Sequence, residues 1–159
     1  MATELQRGDL APDVTLTRPD GGALELVQLR GRPLVLYFYP KDDTAGCTRE
    51  AQSFSALKSE FDAAGVAVIG VSKDPPSKHA KFAAKYDLTV SLASDEDGSV
   101  CEAFGTWIEK SLYGRKYMGI DRSTFLIDAD GRIARIWRKV KVAGHAEQVL
   151  AAADALASA

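Results

Sequence analysis

An α/β fold, a central mixed sheet flanked by helices on both faces, is predicted here from three observations. Two apolar runs, Leu34 to Tyr39 and Val66 to Val71, read as fully buried strands. Helical spacing of apolar residues follows each of them. A hairpin and a closing amphipathic helix then complete the chain. At 159 residues it reads as one domain, 1–159, long enough to bury a real core.

The elements follow in order. Val14 and Leu16, the turn Asp20-Gly21-Gly22, then Leu24 and Leu26 read as a small N-terminal β-hairpin. Arg30-Gly31-Arg32-Pro33 punctuates the chain before the first buried strand. From about Gly46 to Ala63 a helix is expected, with Ala51, Phe54, Leu57 and Phe61 facing the core. Gly65 precedes the second strand. Pro75 and Pro76 suit the first turn of a helix running to about Tyr86. Val90 to Ala93 is a short strand, and Asp95 to Gly98 turns into a short helix through Cys101 and Phe104. Trp107 to Gly119 reads as irregular, broken by Gly105, Gly114 and Gly119. Ser123 to Ile127 and Arg132 to Trp137 form a hairpin about Asp128-Ala129-Asp130-Gly131. After Gly144, Val149, Leu150, Ala153 and Leu156 mark the last helix. Right-handed crossovers would make the first two long strands parallel.

Composition narrows the function. Apolar residues make 46% of the chain and charged residues 26%, ordinary values for a globular protein. A net charge of −2 gives no footprint for nucleic acid or anionic membrane, and Lys139, Lys141, Arg135 and Arg138 read as a solvated face. No run has the length of a membrane span. The polar stretch from Met1 to Asp9 lacks the layout of a secretory signal, so a cytoplasmic location is expected. The two cysteines form no C-x-x-C pair, and His79 and His145 are too isolated to hold zinc; no metal or other cofactor is expected. His145, opening the last helix, reads as a packing or capping residue, and Trp107 and Trp137 as core or site-wall aromatics.

The chemistry concentrates after the first strand, which stops at Pro40. A short polar loop leads to Gly46 and Cys47 at a helix start. There, unpaired N–H groups and the helix dipole favour a thiolate, the nucleophilic form of cysteine. Gly46 lets backbone approach a substrate oxygen closely. Thr44 can accept a hydrogen bond from a substrate O–H while donating its own. On spacing alone, Thr44 reads equally as a helix cap and Cys47 as a small buried residue.

The run Pro40-Lys41-Asp42-Asp43-Thr44-Ala45-Gly46-Cys47-Thr48 resembles the P-x-x-x-T-x-x-C signature of peroxiredoxins. Tyr37-Phe38-Tyr39 and Lys41-Asp42-Asp43 are similar to the bacterioferritin comigratory protein, or peroxiredoxin Q, subfamily. So are Ala11-Pro12-Asp13, Cys101-Glu102-Ala103-Phe104-Gly105 and Gly119 to Asp128, in the same order along the chain. The resemblance implies a thioredoxin-like fold with the N-terminal β-hairpin as an extension. It implies that Cys47 is the peroxidatic cysteine, that Thr44 orients the peroxide and that Pro40 shields the site from water. It makes Arg122, otherwise a surface charge before a strand, the arginine that completes the pocket. A guanidinium suits that role, being permanently charged and able to hydrogen-bond both thiolate and peroxide. The backbone N–H groups of Gly46 and Cys47 would then meet the charge developing on the leaving oxygen.

Two departures qualify the resemblance. Ala45 stands where the subfamily often has proline, which removes no chemical group. Gln52 occupies the position, five residues after Cys47, where many members carry the resolving cysteine. Others carry it in the next helix, where this chain has Phe82, Ala83, Ala84 and Lys85. Cys101 is the remaining thiol and reads as structural rather than resolving. The expectation is therefore a one-cysteine peroxidase, more readily a monomer than a dimer. Its partners would be peroxide substrates and an external thiol reductant: thioredoxin, glutaredoxin or a small thiol. A thioredoxin-like disulfide reductase lacks its second nearby cysteine here. A redox-sensing or holdase module on the same scaffold is the non-enzyme alternative.

Overall fold

The computed structural model describes residues 4–157; the first three positions of the polar N-terminal segment lie outside the described residues. Seven strands form one sheet in the order β2-β1-β5-β4-β3-β8-β9. The N-terminal hairpin is β1 (Thr15–Thr17) and β2 (Ala23–Glu25), and a 3₁₀ turn, Leu26–Leu29, follows it. The centre is β3 (Leu34–Phe38), β4 (Ala67–Ser72) and β5 (Ser91–Ser94), all parallel. On its other side β3 pairs antiparallel with β8 (Ser123–Ile127), which pairs with β9 (Ile133–Trp137). The hairpin extends the opposite edge through the pairing of Thr17 with Ser94.

Every residue of β3 is buried, because both faces of the sheet are covered. Its alternation divides the interior into two layers. Leu34, Leu36 and Phe38 point into one, with Val100, Cys101, Phe104 and Phe125. Val35, Tyr37 and Tyr39 point into the other, with Cys47, Phe54, Phe61, Phe82 and Val149. That second layer lies under α1 (Ala45–Ala56), α2 (Lys58–Ala63), α3 (Pro76–Tyr86) and α5 (His145–Ala157). The short α4 (Ser99–Ala103) contributes to the first. Each fully buried Leu or Phe in these layers is worth about 2–3 kcal/mol over an exposed one.

Two expectations need correction. The helix expected from Gly46 to Ala63 is two helices. Leu57 (φ −100, ψ 5) leaves helical geometry, and its N–H turns back to the carbonyl of Phe54. The re-aimed chain buries Phe54 and Phe61 together, with ring centroids 6.0 Å apart. The segment expected to be irregular is a second, two-stranded sheet, β6 (Trp107–Leu112) paired with β7 (Arg115–Ile120). Its turn is Tyr113-Gly114, both at positive φ, the geometry of a two-residue hairpin loop. The ribbon exposes Leu112, Tyr113, Tyr117 and Met118, so no in–out alternation marks it in the sequence.

Candidate active site

Thr44 is the N-cap residue of α1, with extended backbone and no side-chain capping bond. Its hydroxyl instead donates to the carbonyl of Lys41 at 2.8 Å, leaving its lone pairs able to accept. Cys47 is the third helical residue, where a backbone N–H has no acceptor within the helix. Its side chain is buried. Pro40 lies two residues beyond the end of β3 and is exposed.

Arg122 reaches Cys47 from 75 positions away because of sheet register. Phe38, the last residue of β3, pairs with Ser123, so the residue before β8 stands beside the loop leaving β3. Arg122 Nη2 donates to Cys47 Sγ at 3.3 Å, and Nη1 donates to Glu50 Oε1 at 2.7 Å. A Cβ on Gly46 would lie 3.2 Å from Arg122 Nη2. The glycine thus makes room for the guanidinium, a reason distinct from the substrate approach expected from sequence.

Glu50 escaped the sequence reading, although it sits one helical turn beyond Cys47 and so on the same face of α1. It is buried, and its Oε2 has no partner. Burial pushes its carboxyl up to about 7 against the pull of Arg122. A carboxyl raised in this way adds stability that is fully present below its ordinary 4.5 and is lost as pH rises through about 7. His145, buried and 2.8 Å from the Thr124 hydroxyl, behaves oppositely. Burial, then Arg122, pushes it down to about 4, and its contribution is lost as pH falls from 6.5 toward that value. Comparing wild type with Glu50→Gln cancels the His145 part. The stability of wild type relative to Glu50→Gln should fall by about 3 kcal/mol between pH 4.5 and 7.5 and level off above. Urea unfolding across that range measures it, and a flat difference would contradict the assignment.

Cys101 lies in the layer on the opposite side of the sheet from Cys47. Burial and the neighbouring Asp95 push its thiol well up, and Asp95 Oδ2 accepts the Cys101 N–H at 2.7 Å. The two thiols therefore face opposite sides of β3. Trp137 packs in the Cys47 layer and Trp107 against the other. Among the described residues no cluster of His, Cys, Asp or Glu has the arrangement of a metal site, and no helix is long and apolar enough to cross a membrane.

A cysteine at a helix start beyond the carboxyl end of the parallel strand β3, faced by an arginine at the amino end of the antiparallel β8, defines a cysteine-nucleophile site on a thioredoxin-like fold. Residues 7–136 match the AhpC/TSA family. A putative peroxiredoxin bcp of Coxiella burnetii is 47% identical over 92% of this chain and 97% of that protein. The solved peroxiredoxin Q of Xanthomonas campestris is 46% identical, with a TM-score of 0.88, covering 96% of this chain and 97% of that one. The peroxidoxin BcpB of Mycobacterium tuberculosis is 35% identical, with a TM-score of 0.84, over 96% and 99%. The chain belongs to the AhpC/TSA family, as a peroxiredoxin of the bacterioferritin comigratory protein, or peroxiredoxin Q, subfamily.

Proposed function

We propose that this chain is a thiol-dependent peroxidase in which Cys47 reduces hydrogen peroxide and organic hydroperoxides. The contact between Arg122 and Cys47 Sγ carries the reading. A Xanthomonas campestris relative, 45% identical, is described for its alkyl peroxide reduction activity, which supports organic hydroperoxides as substrates here.

In the proposed step the Cys47 thiolate attacks one peroxide oxygen. The S–O bond forms as the O–O bond breaks, and the departing oxygen takes a proton to leave as water or an alcohol. Cys47 becomes a sulfenic acid. Thr44 accepts the peroxide O–H, and the free N–H groups of Gly46 and Cys47 meet the developing negative charge. Pro40 screens the loop side of the pocket from water.

Resolution comes from outside the chain. Gln52 cannot supply a thiol, and Cys101 lies on the wrong side of the sheet. An external thiol attacks the sulfenic acid, releasing water and leaving a mixed disulfide that a second thiol reduces. Thioredoxin, glutaredoxin and small thiols all fit this scheme. Residues 1–159 act as one domain, a monomer is more readily expected than a dimer because Cys47, Thr44 and Arg122 complete the pocket without a second copy, and the two free thiols suit a reducing cytoplasm.

Intact mass after one equivalent of peroxide tests the one-cysteine cycle. The expected product carries one added oxygen, mapped to Cys47. A product lighter by two hydrogens, with Cys47 joined to Cys101, would overturn external resolution. Unmodified Cys47 would overturn the peroxidase reading itself.

A further inference from the structure

Beside the Cys47 pocket lies a second polar cluster, wholly buried, that the proposed chemistry does not use. Tyr39, Asp42 and His79 are 1%, 2% and 0% exposed. The Tyr39 hydroxyl donates to Asp42 Oδ1, and His79 Nδ1 lies 2.6 Å from Asp42 Oδ2. His79 Nε2 is 3.0 Å from the carbonyl of Ala93. A carbonyl only accepts, so Nε2 carries a hydrogen, and Nδ1 and Oδ2 share one further proton. Burying such a pair costs several kcal/mol per ion, and apolar residues of similar volume would pack the site as stably.

What the cluster holds is the loop from Pro40 to Thr44. The Asp42 N–H donates to Asp74 Oδ2 at 2.8 Å, and Asp74 also accepts from Ser72 and pairs with Lys78. Next in the chain, Asp43 adopts φ +60, an uncommon conformation outside glycine. Two residues near the end of α3 grip its carboxylate: Lys85 Nζ at 2.8 Å and the Tyr86 hydroxyl at 2.6 Å. A left-handed residue held from two sides, immediately before the Thr44 N-cap, sets how the loop enters α1.

We propose that the buried Asp42–His79 pair and the Lys85–Tyr86 grip on Asp43 are positioning residues that hold Thr44 in register with Cys47 for reaction with peroxide. The inference rests on the reading that Cys47 attacks peroxide. The same ties fasten α3 to the active-site loop. Any movement of α3 is therefore felt at Thr44.

The test compares two reactions of the same sulfur in the intact protein. Oxidation by hydrogen peroxide needs the Thr44 hydroxyl in place; alkylation by iodoacetamide does not. Asp42→Ala should slow the peroxide reaction by about tenfold or more while alkylation stays within about twofold of wild type. Asp42→Asn should recover most of the peroxide rate, because its amide can donate to His79 Nδ1 and accept from Tyr39. Equal peroxide rates in wild type and Asp42→Ala would overturn the inference, as would a parallel fall of both reactions or no recovery in Asp42→Asn. Should Asp42→Ala fail to fold, the double variant Lys85→Met, Tyr86→Phe loosens only the outer grip. It should lose about threefold or more in the peroxide reaction alone, and an unchanged rate would overturn the proposal. A wild-type protein inert to peroxide sinks the peroxidase reading as well; a reactive wild type matched by the variants sinks this inference alone.

Discussion

Cys47→Ser should consume no peroxide when coupled to a thioredoxin system, a loss of at least about a thousandfold. The serine oxygen keeps its proton at neutral pH and cannot act as a thiolate does. The substitution is close to isosteric in a buried position, so the fold should survive and the loss report chemistry. Cys101→Ala is the matching control. It removes the other thiol from the far side of the sheet, and turnover should persist at a moderate cost in stability. Wild-type turnover by Cys47→Ser would end the case for Cys47 as nucleophile.

Arg122→Met should lower the peroxide kcat/KM by about 10²–10³, or about 3–4 kcal/mol of transition-state stabilisation. Methionine fills much of the space but takes the positive charge away from the sulfur and from the oxygens in flight. The stability cost depends on Glu50, left buried without its cation. Breaking a buried pair ordinarily costs about 3–5 kcal/mol. Here the carboxyl is already raised to about 7, and without Arg122 it rises further and holds its proton at neutral pH. The neutral acid avoids most of that cost, so Arg122→Met should remain folded while losing activity. Circular dichroism alongside stopped-flow oxidation separates the two effects; a variant retaining at least half the wild-type rate would remove Arg122 from the mechanism.

The parts of this molecule legible in its sequence are those whose pattern has one physical cause. Leu34 to Tyr39 is apolar throughout because both of its faces are covered, and it reads plainly as a strand. The position of Cys47 at a helix start follows from the strand end, the polar loop and the helical spacing after it. The β6–β7 ribbon was hidden because both faces carry exposed residues and its turn is Tyr-Gly rather than Asn-Gly. The break at Leu57 was hidden too, since Phe54 and Phe61 keep helical spacing across it. Nothing local marks Arg122. Its place beside Cys47 comes from the pairing of β3 with β8, and without the family resemblance it reads as one more surface cation. The separation of Cys101 from Cys47 likewise depends on which way alternate residues of β3 point.

The interruption at Leu57 also limits how much of the molecule must move during a catalytic cycle. A sulfenic acid on a side chain only 2% exposed has to come outward before another protein's thiol can reach it. Because α1 ends at Ala56, its three turns can fray as a unit while α2 keeps Phe61 seated. Leu57 would then act as a firebreak between a labile segment and a permanent one. Amide exchange should record it directly: on oxidation, protection falls across Ala45–Ala56 and holds across Lys58–Ala63.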